Sequence, residues 1–121
     1  IMPRITHAVQ VPLGAYGDYG SVNVADYVYL AADTVNKEEV VLTGKELLLV
    51  RNADGAGAHP ITITSVNDEF GRTGNVASYS IGISEFAMFG PFKQPGWRQT
   101  DGKLYFEADN VNIEFAVIRL P

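Results

Sequence analysis

The chain has 121 residues, of which 46% are hydrophobic and 19% charged, so it fits one compact domain over residues 1–121 and not a disordered chain. Its formal net charge of −5, with nine scattered Lys and Arg residues, disfavours binding to a phosphate backbone, and we expect no nucleic-acid partner. The absence of cysteine excludes disulfide scaffolds, zinc ribbons and thiol catalysis, and no apolar run reaches the roughly 18 residues of a transmembrane helix, so we expect no membrane partner.

Hydrophobic residues alternate with polar ones at period two over much of the chain, which is the pattern of half-buried β-strands. Residues 5–11 are predicted to form an N-terminal strand or arm. The glycine-rich run at 12–21 predicts a loop, because glycine accepts positive φ without steric cost. A second strand is predicted over residues 22–32.

The middle of the chain predicts three further strands. Residues 38–43 and 46–52 form two apolar runs, and residues 60–66 alternate strictly between apolar and polar side chains. The small, glycine-bearing run 53–58 separates the last two strands. We therefore expect 46–52 and 60–66 to pair as a β-hairpin with a long loop.

Four strands are predicted in the C-terminal half, over residues 76–83, 85–90, 103–108 and 111–120. The segment PFKQPGW holds two prolines and a glycine, which excludes a central strand there. No stretch has the apolar spacing of a convincing helix. Eight or nine short strands therefore predict an all-β domain, an antiparallel β-sandwich or jelly roll, with a small closed barrel as the alternative.

The two histidines do not form a metal-binding motif. His7 lies within a predicted strand, and His59 precedes Pro60 at the exit of a loop. Neither has a partner at the H-x-H or H-x-x-x-H spacing that brings two imidazoles to one metal ion. We expect both to be structural or solvent-facing, and we expect no metal.

No arrangement of acidic or nucleophilic side chains singles out a catalytic centre. Glu38 and Glu39 are neighbours on a strand and point to opposite faces, and Asp68-Glu69 lacks the spacing of a calcium loop. A glycosidase-like pair of carboxylates across a cleft stays open. There is no G-x-S-x-G elbow, and the glycine-rich loop lacks the Lys-Ser/Thr ending of a phosphate loop. We expect no enzyme activity and no cofactor.

Three aromatic residues are candidates for structural or binding roles. Trp97 stands between Gly96 and Arg98, and we expect it to plug the base of the sandwich, with its indole N–H bonded to a backbone carbonyl. Tyr16 and Tyr19 are flanked by glycines in the loop at 12–21. They are expected to be exposed and to contact a partner.

Five runs of the sequence carry a family resemblance: TGKELLLVRN (43–52), ITITSVNDEFGRTGNV (61–76), EFAMFGPF (85–92), GWRQTDGKLYFEA (96–108) and FAVIRL (115–120). Together they resemble a group of small tailed-phage and prophage proteins that are typically encoded among virion structural genes, beside the major capsid gene. The match spans roughly positions 40–121, and its motifs are structural, not catalytic.

The resemblance implies a virion structural protein, a head decoration or cement protein on the capsid exterior. Such a protein binds the major capsid protein or other virion proteins, assembles in the host cytoplasm and often acts as a homotrimer. An arm ahead of a sandwich can add a strand to a neighbour, which makes the N-terminal region a candidate contact. The candidate partner contacts are Ile5, His7, Val9, Tyr16, Tyr19 and Arg72.

Two other functions remain alternatives. A carbohydrate- or receptor-binding module of a tail or head fibre would expose Trp97, Tyr16 and Tyr19 on one face to stack against sugars. A metal enzyme of the cupin type would hold an ion between its sheets through His7 or His59.

Overall fold

The computed structural model describes residues 4–12, 26–67 and 70–120, and this part of the chain folds into two packed β-sheets. The predicted all-β sandwich is confirmed. The described elements, in chain order, are β1 (Ile5–Thr6), β2 (Leu30–Ala31), β3 (Glu38–Val41), β4 (Glu46–Asn52), β5 (His59–Thr64), β6 (Val76–Ile81), β7 (Phe86–Phe89), α1 (Gln94–Trp97), β8 (Lys103–Ala108) and β9 (Ile113–Arg119).

One sheet has the strand order β1-β3-β8-β5-β6 and the other β2-β9-β4-β7. Strand β1 runs parallel to β3, and the other strand pairs are antiparallel. The predicted hairpin between 46–52 and 60–66 is wrong, because β4 and β5 lie in different sheets. Period-two alternation reports which side chains face the core, and it is the same whether two strands pair side by side or face each other across it.

The core lies between the two sheets and follows the alternation of their long strands. In β4, Leu48 and Val50 are fully buried while their neighbours are half-buried. The ring of Phe106 from β8 meets that of Phe115 from β9 edge to face, with 4.9 Å between centroids. Each such side chain contributes about 1.5–3 kcal/mol when it leaves water, so this contact is a major source of cohesion between the sheets.

Several predicted elements are shorter than expected. Of the strand predicted over 5–11, only Ile5–Thr6 is a strand, followed by an isolated parallel bridge from Gln10 to Ile118. Of 22–32, only Leu30–Ala31 is a strand within the described residues. Most of the predicted loop at 12–21, with Tyr16 and Tyr19, lies outside them.

The sequence predicted no helix, and the described residues contain one helical turn, α1. This turn is irregular, because Pro95 has ψ 124° and Gly96 has φ 97°, neither of which belongs to an α-helix. Its last residue, Trp97, packs edge to face on buried Phe92, with 5.0 Å between ring centroids. The turn therefore returns the chain from β7 to β8 and adds an aromatic ring to the rim of the core.

Gly90, just after β7, lies where the segment between β7 and β8 packs closely against β4. Its φ is 111°, and an added Cβ would lie 2.7 Å from the backbone oxygen of Glu46. Because the clashing atom belongs to the backbone of β4, we expect Gly90→Ala to lower the free energy of unfolding by about 3 kcal/mol in urea denaturation. Gly55→Ala is the control, since no atom lies within 4 Å of its added Cβ. Equal stability of the two variants would contradict this account.

Candidate functional site

The N-terminal segment, residues 4–12, ties the two sheets together along one side of the sandwich. The backbone N–H groups of Ile5 and His7 donate to the carbonyls of Lys37 and Glu39, at 2.9 and 2.8 Å. Three residues later, Gln10 exchanges backbone hydrogen bonds with β9 of the other sheet, at 2.9 Å each. The segment therefore closes the gap between β3 and β9.

His7 is a core residue, although it was a candidate for partner contact. Its side chain is 5% exposed, and its ring lies 5.2 Å from that of Phe106 and 6.2 Å from that of Phe115. Burial lowers the pKa of its imidazole, which favours the neutral form. Of the neighbouring candidates, Val9 packs half-buried against the core and Ile5 is 43% exposed. Of the three, Ile5 is the residue most accessible to a partner.

A group of exposed apolar side chains adjoins the N-terminal segment. The side-chain amide of Gln10 donates to the carbonyl of Val28 and accepts from its N–H, both at 2.9 Å, which fixes residues 26–30 beside the segment. Four apolar side chains are exposed there, and we call them the N-terminal patch: Val11, Tyr27, Val28 and Leu30. A cleft of about 290 Å³ lies beneath Val11 and Tyr27. Tyr27, Val28 and Leu30 were not among the predicted contact residues, because a hydrophobic run such as 27–32 predicts a strand with buried side chains.

Glu38 carries a carboxyl group into the core. It is fully buried, its Oε1 accepts from the backbone N–H of Asp33, and its Oε2 has no hydrogen-bond partner in the described structure. Burial raises the pKa of this carboxyl to about 7, against the weaker opposing effect of that hydrogen bond. No sequence pattern indicated this burial, because the side chains of neighbouring glutamates on a strand point to opposite faces and one of them is expected to face solvent.

Glu46 is also fully buried, but its carboxylate is satisfied. One oxygen accepts from the backbone N–H of Thr43 at 2.8 Å and the other from the Nε of Arg119 at 2.5 Å. Burial alone would raise its pKa, yet the hydrogen bonds from Arg119 and Thr43 outweigh it and hold the pKa below its ordinary value. Glu46 thus joins the β3–β4 turn to the end of β9.

The second histidine belongs to a surface pair. His59 Nε2 lies 2.7 Å from Oδ2 of Asp54, and this hydrogen bond lowers the pKa of the Asp54 carboxyl. No group of three or more His, Cys, Asp or Glu side chains in residues 4–12, 26–67 and 70–120 is placed to hold a metal ion. His7 and His59 therefore do not converge on one centre.

Two predicted site residues meet at a different place. Arg72 and Trp97 both line a cleft of about 320 Å³, together with Ser65, Thr73 and the glycines beside them. The guanidinium of Arg72 lies 5.0 Å from the ring of Phe70. Trp97 is half-buried and packs on Phe92, so part of its ring is covered by the core and part lines this cleft.

Comparisons with protein-family models, with curated proteins and with solved structures find no match to this chain. Within the described residues, the structure contains no helix long and apolar enough to cross a bilayer.

The buried carboxyl of Glu38 generates a pH prediction. Its pKa rises from 4.5 in the unfolded chain to about 7 in the fold, so the folded state holds a proton that the unfolded state loses first. Its contribution to stability therefore falls as pH rises from 4.5 to about 7, by up to about 3 kcal/mol. In urea denaturation, we expect Glu38→Gln to gain stability relative to the parent chain over this interval. A stability difference that does not change with pH would contradict the shift.

Proposed function

We propose that the chain is a structural protein of a tailed-phage virion that decorates the exterior of the capsid and binds the major capsid protein. The observation that carries this proposal is the N-terminal patch, where Val11, Tyr27, Val28 and Leu30 are each about half exposed or more. Contiguous exposed apolar surface of this kind marks a site of protein contact. The family resemblance supplies the identity of the partner.

The position of the patch supports a role in docking. It adjoins the N-terminal segment, which is pinned to both sheets by backbone hydrogen bonds at residues 5, 7 and 10. The surface is therefore largely ordered before it meets a partner, and little conformational entropy is lost on binding. Ile5, which lies in the same segment, also has an exposed side chain.

We propose the jelly roll as the finer description of the fold. From β2 to β5 and again from β6 to β9, consecutive strands alternate between the two sheets, while β5 pairs with β6 within one sheet. Two Greek keys joined in this way are the jelly-roll pattern, which is common in viral capsid and lectin domains. Fold alone assigns no function, so this supports the proposal without carrying it.

The proposed mechanism is mechanical. Copies that sit at junctions between capsid subunits would bury surface against several subunits and oppose rupture of the shell. Several weak contacts made together hold a rigid body more firmly than any one of them. We propose the virion as the location of the protein.

A second candidate function is glycan binding at the cleft beside Trp97. The cleft of about 320 Å³ is lined by polar groups of Ser65, Arg72 and Thr73 next to an aromatic ring, a combination that suits a sugar. If this is the functional site, Thr73→Trp should fill the cleft and abolish binding on a glycan array. Binding to capsids by the same variant would then be unaffected.

The capsid proposal is tested by cosedimentation with expanded capsids that lack the protein. Val28 is 61% exposed and contributes only its backbone to the bonds with Gln10, so Val28→Asp should preserve the fold. A charge placed in the contact should weaken binding by about 100-fold, equivalent to about 2.7 kcal/mol.

The matched control is Val35→Asp, because Val35 is 81% exposed and lies outside the patch. We expect it to bind like the parent chain. Unexpanded precursor shells should bind neither the parent chain nor Val35→Asp, because under this proposal the junctions between capsid subunits that the protein occupies form on expansion. Binding of Val28→Asp equal to that of the control would refute the patch, and absence of binding by the parent chain would refute the capsid proposal.

A further inference from the structure

Strand β7 forms one edge of the four-stranded sheet and exposes two large apolar side chains. In the described part of the chain, the strand order of this sheet ends at β7, next to β4. Phe86 and Met88 are each 68% exposed, and the strand Phe86–Phe89 holds no charged residue. An uncharged apolar edge is a template for pairing with another strand.

Among the described residues, the backbone N–H and C=O groups of Phe86 and Met88 have no hydrogen-bond partner. The N–H of Asn52 donates to the carbonyl of Glu85 at 3.0 Å, and the register continues with Val50 opposite Ala87. In an antiparallel ladder, every second residue bonds to the partner strand, so residues 85, 87 and 89 face β4. The N–H and C=O groups of Phe86 and Met88 therefore point away from β4.

The other described sheet edges are protected against pairing. Strand β6 has Ser78 at φ 52° and a register shift opposite Ile61 to Ile63, which bends the strand. Strands β1 and β2 are two residues long. Natural sheets use such bulges and short edges to avoid association, and β7 carries neither device.

We propose that β7 pairs antiparallel with β7 of a second copy of this chain, about a two-fold axis at Ala87. Phe86 then lies opposite the partner's Met88, and Met88 opposite the partner's Phe86. These are the residues with free backbone groups, so the two strands exchange four N–H···O=C bonds. Each apolar pair also brings a thioether against an aromatic ring, which is a favourable contact. The two four-stranded sheets become one sheet of eight strands.

Self-complementarity identifies the occupant as a second copy. The two residues with free groups are placed symmetrically about Ala87, which an isologous contact requires. Ala87 meets its own equivalent as a non-hydrogen-bonded pair, where the Cα atoms approach to about 4.5 Å and a small side chain fits. Each copy has a net charge of −5, and an uncharged edge is where two copies repel least. Added salt should therefore strengthen the association.

The first test is crosslinking in a chain that naturally has no cysteine. Ala87→Cys places two thiols opposite each other within disulfide range, and we expect a disulfide-linked dimer on a non-reducing gel after mild oxidation. Met88→Cys is the control for register, since two residues 88 would lie diagonally, about 7–8 Å apart. Val35→Cys, on an exposed turn, is the control for random collision.

The second test is sedimentation velocity over a range of concentrations. The parent chain should approach twice its mass of 13.2 kDa, and Met88→Lys should weaken dimerisation by about 100-fold or more, because a charged side chain blocks the apolar pairing. Val35→Lys is the charge-matched control and should dimerise like the parent. Thermal melting followed by circular dichroism checks that each variant is folded.

The outcomes separate this pairing from the alternatives. A parent chain that stays monomeric up to about 1 mM, which corresponds to less than about 4.1 kcal/mol of binding, overturns the proposal. A trimeric mass overturns it as well, because a two-fold contact closes at two copies. Crosslinking by Ala87→Cys no faster than by Val35→Cys overturns the register. Capsid binding plays no part in these readouts, so they stand apart from the proposed function.

Discussion

The contact between Phe106 and Phe115 is the constraint on which the described structure depends. One ring comes from β8 at the centre of the five-stranded sheet and the other from β9 in the four-stranded sheet, and their centroids lie 4.9 Å apart. His7 packs against both rings, so the N-terminal segment is positioned by the same contact. Because side chains alternate along a strand, the inward direction of these two rings also determines which residues of β8 and β9 face outward.

Two buried glutamates show how differently one side chain behaves in this core. The carboxylate of Glu46 accepts hydrogen bonds from Arg119, from the hydroxyl of Thr43 and from backbone N–H groups. Its charge is therefore compensated and its pKa is lowered. Glu38 has one oxygen on the N–H of Asp33 and another without a partner in the described residues, so burial dominates and its pKa is raised. Hydrogen bonding, and not depth alone, decides whether a buried carboxyl group is charged.

The sequence predicted the long strands well and their arrangement poorly. Strands β4 and β8 have the predicted bounds, because both are strand-forming runs that end at turn residues. The hairpin of β4 with β5 was wrong because a side-chain pattern contains no information on which backbone lies alongside. The strand predicted over 22–32 is reduced to β2 within the described residues, because Val28 is held by the side chain of Gln10 and not by a neighbouring strand. The N-terminal patch therefore had no signature in the sequence.

Strand β4 shows why the four-stranded sheet is the surface to which both proposals point. Its inward residues are fully buried, yet its outward residues include Leu47 and Leu49, which are half-buried. A sheet with apolar side chains on both faces is suited to cover on both sides. Leu30 of the N-terminal patch belongs to β2 at one edge of this sheet, and the proposed two-fold contact lies at β7, the opposite edge. The ring of Tyr29 connects them across the outer face, 5.5 Å from that of Tyr27 and 6.4 Å from that of Phe86.

These two contacts use different strand edges, and they adjoin on the outer face of the sheet, where the ring of Tyr29 lies between those of Tyr27 and Phe86. Pairing through β7 uses the edge opposite β2, so Leu30 of each copy would stay outside the paired strands. A dimer would then present two equivalent patches held at a fixed separation by eight hydrogen-bonded strands. Rigid presentation of two sites raises the effective concentration of the second once the first is bound, provided that the spacing matches the target. A repetitive shell supplies such a target, so self-association through β7 would strengthen the capsid binding proposed for the patch.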